Sequence, residues 1–156
     1  MTSAGIMLFR FVEGAPQVLL IHPGGPYWTK KDEGAWSIPK GEAEEDEDLR
    51  DCALREMGEE LGPAVAVDAG GLLELGTVRQ KGGKVVHAWA AEADFDPAQL
   101  DSNTFTMEWP PRSGQQREFP EADRAEWLAP EVAKRRINPA QAAFVDRLLE
   151  RLAQRH

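Results

Sequence analysis

The residues with the clearest chemical potential are three glutamates, Glu56, Glu59 and Glu60, which lie just before Gly62, a glycine suited to end a helix. Residues three and four apart share one face of a helix, so these carboxylates can enter one small volume. Carboxylates this close repel one another unless a cation lies among them. Hard cations such as Mg²⁺ take oxygen ligands and favour carboxylates together with substrate phosphates. The spacing therefore indicates a divalent-metal site for phosphate chemistry.

A glutamate-rich helix is more often a solvated face than a metal site, so the wider spacing matters. Five residues separate Gly41 from Glu47, and seven separate Glu47 from Arg55. In residue types and spacing, the segment 41–62 resembles the signature of the Nudix hydrolases. All of its fixed residue types match. Pro63 departs from the closing aliphatic position, which concerns how the chain leaves the helix and not the metal ligands.

The resemblance implies a role for each acidic residue of this segment. Glu56, Glu59 and Glu60 take the places of the family's metal-binding glutamates, and Glu47 matches an auxiliary or water-mediated ligand. The implied cofactor is Mg²⁺ or Mn²⁺. Glu59 and Glu60 are also implied in catalysis, together with Arg55, which would act by forking onto a carboxylate and fixing its orientation.

Members of this family often add one acidic residue from a late loop before a strand that carries tryptophan. The matching segment here is 119–127, FPEADRAEW. Glu121 is the preferred candidate for this outside, catalytic acid, with Glu118 and Asp123 as alternatives. The general base stays open between Glu60 and Glu121.

Four residues are candidates for binding the substrate. The tripeptide Pro-Lys-Gly at 39–41 is similar to the entry of dinucleoside-polyphosphate hydrolases, which implies that Lys40 meets a phosphate as a point charge. A side chain at Gly41 would obstruct the tight loop expected over the helix. Tyr27, Trp28 and Trp109 lie in predicted loops, where an aromatic ring can stack on a nucleobase.

The elements that must position these residues follow from hydrophobic periodicity and turn signals. The pattern predicts strands at 4–12, 17–22, 35–38, 72–80, 85–93 and 125–128, and helices at 48–61, 130–136 and 139–154. Residues 94–120 read as a long irregular loop that we expect to border the active site. This order is an α+β pattern, and it looks like the Nudix-type α/β/α sandwich with a mixed β-sheet, as a single domain over 1–156.

The net charge and the cysteine content limit which partners and which cellular compartment the sequence favours. The net charge of −9 makes the chain a poor general binder of nucleic-acid polymers, so we expect a small nucleotide substrate. Cys52 is the single cysteine, which excludes an intramolecular disulfide and favours the cytoplasm. We see neither a signal peptide nor an apolar run long enough to span a membrane. A homodimer stays open.

These observations favour a metal-dependent hydrolase that cleaves a pyrophosphate bond in a nucleoside diphosphate derivative. A nucleoside triphosphate or dinucleoside polyphosphate is the preferred substrate, and ADP-ribose or another nucleotide sugar comes second. A non-catalytic module that senses nucleotides is the alternative from another class, although such proteins usually show a broken signature. A calcium-binding protein is disfavoured because the acidic run lacks EF-hand spacing.

Overall fold

A mixed β-sheet forms the centre of the computed structural model, which describes residues 2–155. The chain has strands β1 (Thr2–Val12), β2 (Ala15–Pro23), β3 (Lys40–Glu42), β4 (Leu73–Arg79), β5 (Val85–Glu92), β6 (Thr104–Glu108), β7 (Gln116–Pro120) and β8 (Ala122–Leu128). The central sheet has the order β4-β5-β1-β2-β8, and β3 pairs with the beginning of β1. Only β1 and β5 run parallel within it, whereas the other pairs are antiparallel.

Helices cover both faces of the sheet, namely α1 (Leu49–Leu61), α2 (Pro130–Arg136) and α3 (Ala142–Ala153). Successive residues of a strand point to opposite faces, so β1 contributes to two hydrophobic layers. Ile6 packs in the layer that contains Met57 of α1, and Met7 packs in the layer that contains Phe144 of α3. The α/β/α sandwich with a mixed sheet, predicted from the sequence, is confirmed.

Helix α1 carries the glutamate cluster, and its ends have clear local causes. The Asp48 side chain accepts hydrogen bonds from two backbone N–H groups of the first turn, which satisfies donors that a helix leaves free. Cys52, Met57 and Leu61 are buried and fix which face of the helix meets the sheet. Gly62 ends the helix at a φ of 95°, a backbone conformation that favours glycine. The helix-ending role predicted for Gly62 is therefore confirmed.

Two sequence predictions about strands were wrong. The supposedly irregular segment 94–120 contains the antiparallel hairpin of β6 and β7, in which Phe105 lies opposite Phe119. The alternation of apolar and polar residues in TFTME is a strand pattern that the neighbouring prolines obscured. The predicted strand 35–38 forms only isolated bridges, Ile21 with Ser37 and Trp36 with Ile137, and regular pairing begins at Lys40 instead.

The terminal helix begins later than the predicted residue 139. Pro139–Gln141 form a separate 3₁₀ turn, which the Asn138 side chain caps by accepting from the Ala140 N–H. Gln141 is buried, and its amide oxygen accepts from the Ile38 N–H at 3.2 Å, so this turn is held against the sheet. Within residues 2–155, no helix combines the length and apolar character needed to cross a membrane.

Candidate active site

A cavity of about 300 Å³, here called the carboxylate pocket, gathers four of the acidic residues predicted from the sequence, namely Glu56, Glu59, Glu60 and Glu121. Its lining consists of Lys40, Gly41, Glu42, Glu56, Glu59, Glu60, Asn103 and Glu121. A larger, open groove of about 780 Å³ lies beside β8 but contains none of the clustered glutamates of α1. We assign the candidate site to the smaller cavity because several carboxylates meet a lysine in it.

Separate parts of the chain build this pocket, and backbone hydrogen bonds hold them together. Helix α1 supplies Glu56, Glu59 and Glu60, whereas Glu121 lies at the junction of β7 and β8. Asn103 connects the two because its N–H donates to the Glu59 carbonyl at 2.7 Å and its carbonyl accepts from the Glu121 N–H at 2.8 Å. The outside acid proposed from the sequence thus lies in the same pocket as the helix glutamates.

Two lining residues, Glu42 and Asn103, were not predicted from the sequence, and Asn103 is the one that is not an acid. It lies within the segment 94–120, which the sequence predicts to be an irregular loop, and no sequence motif identifies it. With Lys40, it provides a side chain that can donate hydrogen bonds in a pocket otherwise lined by acids and Gly41. The segment 94–120 does border the pocket, through Asn103 and through its junction with Glu121.

Gly41 is required by the close approach of β3 to α1. A Cβ atom at this position would lie 2.1 Å from the Glu56 carboxyl carbon, a distance at which something must move. The missing side chain therefore makes a cradle for the Glu56 carboxylate. The sequence-based expectation that a side chain at Gly41 would be obstructive agrees with this geometry.

Arg55 organises the carboxylates on one side of the pocket. Its Nε and Nη2 each donate to one oxygen of Glu47 at 2.9 Å, the fork expected from the sequence. Its Nη1 donates to Glu56 at 2.8 Å and to Glu59 at 3.0 Å. One guanidinium thus contacts three carboxylates and fixes the position of two that line the pocket.

Glu47 lies outside the lining of the carboxylate pocket, with both oxygens bound. Besides the Arg55 fork, its Oε1 accepts from the Glu44 N–H at 2.9 Å. The hydrogen bonds from Arg55 hold the pKa of the Glu47 carboxyl at about 2. This arrangement suits a residue that positions Arg55, and the role of auxiliary ligand stays a prediction.

Glu60 is the most deeply placed of the clustered acids. Burial raises the pKa of its carboxyl to about 8, and the Glu56 charge adds to the rise while the Lys40 N–H, which donates to Glu60 Oε2 at 3.2 Å, opposes it. Burial also raises the pKa of Glu56, with Glu59 as the next cause. In the absence of a cation, the pocket therefore retains protons above the usual range of glutamate.

Lys40 brings an amine into this pocket from β3. Burial lowers the pKa of the amine and the nearby Lys84 charge lowers it further, against the attraction of Glu60 and Glu56. Lys84 itself pairs with Glu42, another lining residue, at 3.6 Å. Lys40 is thus the predicted substrate-binding residue that lies within the pocket.

The three predicted aromatic residues form a separate group, here called the aromatic rim. Tyr27 and Trp109 pack edge to face with ring centroids 5.3 Å apart, and Trp28 carries the Lys31 amine 5.3 Å above its ring. Tyr27 and Trp28 are exposed. None of the three lines the carboxylate pocket, but the loop that carries Tyr27 and Trp28 reaches a lining residue, because the Gly24 N–H donates to the Glu121 carbonyl at 3.0 Å.

The donor set fits a hard divalent cation. The carboxylates of Glu56, Glu59, Glu60 and Glu121 face one cavity and are oxygen donors of the kind that Mg²⁺ and Mn²⁺ take. Among residues 2–155 no group of acidic, histidine or cysteine side chains is already arranged as a complete set of metal ligands. Instead, one oxygen of Glu56 and one oxygen of Glu59 each accept a hydrogen bond from Arg55 Nη1.

Replacing Gly41 by alanine tests the cradle. We expect Gly41→Ala to reduce hydrolysis by at least about tenfold, because the new methyl group displaces the Glu56 carboxylate and small misplacements in a site are costly. The matched control is Gly58→Ala on α1, the helix that carries Glu56, where a Cβ atom would meet nothing within 4 Å. That variant should keep its activity and gain about 0.5–1 kcal/mol of stability, measured by urea unfolding. Equal activity in both variants would contradict the cradle.

The mixed sheet between helices and the glutamate cluster on α1 define the class of protein. The chain belongs to the Nudix family, because the NUDIX domain model matches residues 1–148. A search of curated proteins finds no match to this chain.

Solved structures with the same fold include two hydrolases and a domain complexed with ADP ribose. A binary complex of a C. elegans Ap4A hydrolase is 20% identical, with a TM-score of 0.67 over 97% of this chain and 98% of that chain. The NUDIX domain of Shewanella oneidensis NrtR, complexed with ADP ribose, is 18% identical, with a TM-score of 0.61 over 97% and 88% of the two chains. RenU, a Nudix hydrolase from M. smegmatis, is 23% identical, with a TM-score of 0.60 over 99% and 87%. These likenesses show a shared fold.

Proposed function

We propose that this chain is a metal-dependent hydrolase that cleaves a pyrophosphate bond in a nucleoside diphosphate derivative. The observation that carries this proposal is the carboxylate pocket, which brings Glu121 to the acids of α1 around one cavity. Clustered carboxylates need a cation among them and match the oxygen ligands of Mg²⁺ and Mn²⁺. The complete set of acids argues against a module that only senses nucleotides.

The preferred substrate is a nucleoside triphosphate or a dinucleoside polyphosphate. Lys40 and Asn103 offer hydrogen-bond donors for phosphate oxygens within the pocket, and the aromatic rim offers exposed rings for a base. The likeness to a C. elegans Ap4A hydrolase agrees with this choice. ADP-ribose is the second candidate, because the similar NUDIX domain of NrtR is complexed with ADP ribose.

In the reaction we propose, a water oxygen forms a bond to phosphorus while the bridging P–O bond breaks, and the water proton passes to a carboxylate. Glu56, Glu59 and Glu60 would hold the metal. When bound, Mg²⁺ or Mn²⁺ would polarise a phosphoryl oxygen and lower the pKa of water. Lys40 would stabilise negative charge on the phosphate, and the general base would be Glu60 or Glu121.

A substrate screen tests the function. The purified chain is incubated with nucleoside triphosphates, dinucleoside polyphosphates and ADP-ribose, each with Mg²⁺, with Mn²⁺ and with chelator, and the products are separated by chromatography. We expect nucleoside phosphates to form only when metal is present. Binding of a nucleotide without any cleavage would support the sensing module instead.

The outside acid and the aromatic rim should affect different kinetic constants. We expect Glu121→Gln to lower kcat by about tenfold, because it removes a charge that acts on the reacting water. Trp109→Ala should mainly raise KM, as loss of binding shared by the ground and transition states does. Glu118→Gln is the matched control, since Glu118 is an exposed acid of β7 outside the pocket lining. If Glu118→Gln lowered kcat and Glu121→Gln did not, the outside acid would be misassigned.

A further inference from the structure

A buried histidine joins the loop of the aromatic rim to β8. His22 is 0% exposed at the end of β2. Its Nδ1 lies 2.8 Å from Asp123 Oδ1, and its Nε2 lies 2.6 Å from the backbone carbonyl oxygen of Lys31. The Trp36 ring packs against it with centroids 5.2 Å apart. Lys31 lies 9 residues and Asp123 lies 101 residues from His22 along the chain, and no sequence motif predicts that the three meet.

Both ring nitrogens of His22 therefore face oxygen atoms that accept hydrogen bonds. A carbonyl oxygen can only accept, and an ionised carboxylate can only accept, whereas a neutral imidazole has a single N–H. With a neutral ring and an ionised Asp123, one nitrogen lone pair would point at an oxygen lone pair inside the protein. A buried nitrogen that faces an acceptor without a hydrogen bond lowers the stability of the folded protein. The geometry thus requires one more proton on the pair than a neutral histidine and an aspartate carry.

The surroundings indicate which partner holds that proton. Asp123 is partly open to solvent, with 34% of its side chain exposed, and Arg124 Nε lies 3.7 Å from the same carboxylate oxygen. A cation and solvent both favour the ionised carboxylate. The other charges nearby are Arg136 and Asp32, which lie around Trp36 and pair with each other at 3.9 Å, so they largely offset one another. The extra proton is therefore assigned to the ring.

We propose that His22, protonated on both ring nitrogens, is a positioning residue for the loop of residues 23–34. One of its hydrogen bonds holds the Lys31 carbonyl, and the other holds Asp123, two residues after Glu121. The loop between carries Tyr27 and Trp28 of the aromatic rim. A clamp centred on a fully buried histidine thus sets the distance between the loop of Tyr27 and Trp28 and the acid-bearing start of β8. The effect on substrate rests on the proposed function, whereas the clamp itself does not.

The protonation state can be measured without any activity. The chain has three histidines, so long-range ¹H–¹⁵N spectra of the imidazoles can be assigned with His22→Phe and His87→Phe variants. At pH 7 we expect the two His22 nitrogens to give the similar shifts of a doubly protonated ring. Well-separated shifts, which mark a single N–H, would overturn the proposal. The shifts themselves are read from the wild-type protein, and the two variants serve only to assign them.

Hydrogen exchange of residues 24–34 tests the clamp. We expect His22→Phe to speed exchange in this loop by at least about tenfold, the effect of losing one hydrogen bond to a charged group. His87→Phe is the matched control, because His87 bonds to Glu74 on the far side of the sheet at 2.6 Å. It should leave exchange in the loop unchanged. Unchanged exchange in His22→Phe would overturn the proposal.

Asp123→Asn is a conservative variant that tests the assignment of the extra proton to the His22 ring. An asparagine amide can donate to Nδ1, so a neutral ring with its proton on Nε2 satisfies both contacts. We expect this variant to keep loop protection to within about threefold while its spectrum changes to that of a neutral ring. Loss of protection as large as in His22→Phe would refute the proton assignment.

Kinetics separate this proposal from the proposed function. If the wild type hydrolyses a nucleotide, His22→Phe should raise KM by at least about fivefold with kcat within about twofold, because the loop binds substrate without touching the reacting atoms. Unchanged KM with normal hydrolysis would refute the positioning role alone. If no nucleotide is cleaved, the proposed function fails, and the spectra and exchange still decide whether the clamp exists.

Discussion

Glu60→Gln is expected to lower hydrolysis by about 1000-fold while the folded structure is kept. The substitution removes a negative charge from the deepest acid of the carboxylate pocket, which is both a candidate metal ligand and a candidate base. Glutamine is nearly the same shape, and its amide oxygen can still accept the hydrogen bond from the Lys40 N–H. Activity assays with Mg²⁺ and Mn²⁺, beside circular dichroism of both proteins, measure the effect.

The same variant should be more stable than the wild type when metal is absent. Because the pKa of Glu60 is raised to about 8 in the folded state, folding retains a proton that the unfolded chain releases. The stabilisation from this protonated carboxyl is complete below the usual pKa of glutamate and is lost as the pH rises towards 8. Glu60→Gln has no proton to lose, so in chelator its free energy of unfolding should increasingly exceed that of the wild type as the pH rises towards 8. The difference should reach a few kcal/mol, on the order expected for a pKa shift of several units.

Urea unfolding of both proteins in chelator at several pH values tests whether the extra stability of Glu60→Gln grows as the pH rises. Glu45→Gln is the matched control, since Glu45 is an exposed acid of the same acidic stretch and lies outside the pocket lining. It should change neither activity nor the pH dependence of stability. Near-wild-type turnover of folded Glu60→Gln would sink the catalytic assignment. A large loss of stability in chelator would instead assign Glu60 a structural role.

The helix glutamates were predictable because their arrangement is local. Helical periodicity places Glu56 and Glu60 on one face, and the buried Met57 lies beside it on the adjoining face, which packs against the sheet. The need for glycine at position 41 followed from the resemblance, but its cause, the 2.1 Å approach to the Glu56 carboxyl, belongs to tertiary packing. Local signals therefore predicted which residues meet, and the structure supplied the reason.

The features that sequence reasoning missed depend on contacts between distant segments. Asn103 has its place through backbone bonds to Glu59 and Glu121, which no local pattern encodes. The partners of His22, Lys31 and Asp123, lie 9 and 101 residues away along the chain. The hairpin of β6 and β7 was missed because its strands are short and largely exposed, and because prolines on either side obscured the alternation in β6.

Arg55→Met is the second variant with a large expected effect. One guanidinium contacts the carboxylates of Glu47, Glu56 and Glu59, so its removal leaves three acids without their cation. Removing one partner of a buried pair costs about 3–5 kcal/mol, and because 30% of the Arg55 side chain is exposed we expect a smaller loss of about 2 kcal/mol in chelator. Hydrolysis should fall by about 100-fold, since two acids that line the pocket lose their position.

Metal should partly replace the missing guanidinium, and this distinguishes an electrostatic role from simple packing. Added Mg²⁺ should narrow the stability gap between Arg55→Met and the wild type, because a bound cation relieves the repulsion among the carboxylates.

Arg55→Lys keeps the charge but cannot fork onto Glu47, so it should recover part of the stability and little of the activity. Arg50→Met, a charge removal at an exposed position of the same helix, should stay within about 0.5 kcal/mol of the wild type. A stability gap for Arg55→Met that is the same with and without Mg²⁺ would show that Arg55 acts by packing and not by balancing the acids of the pocket.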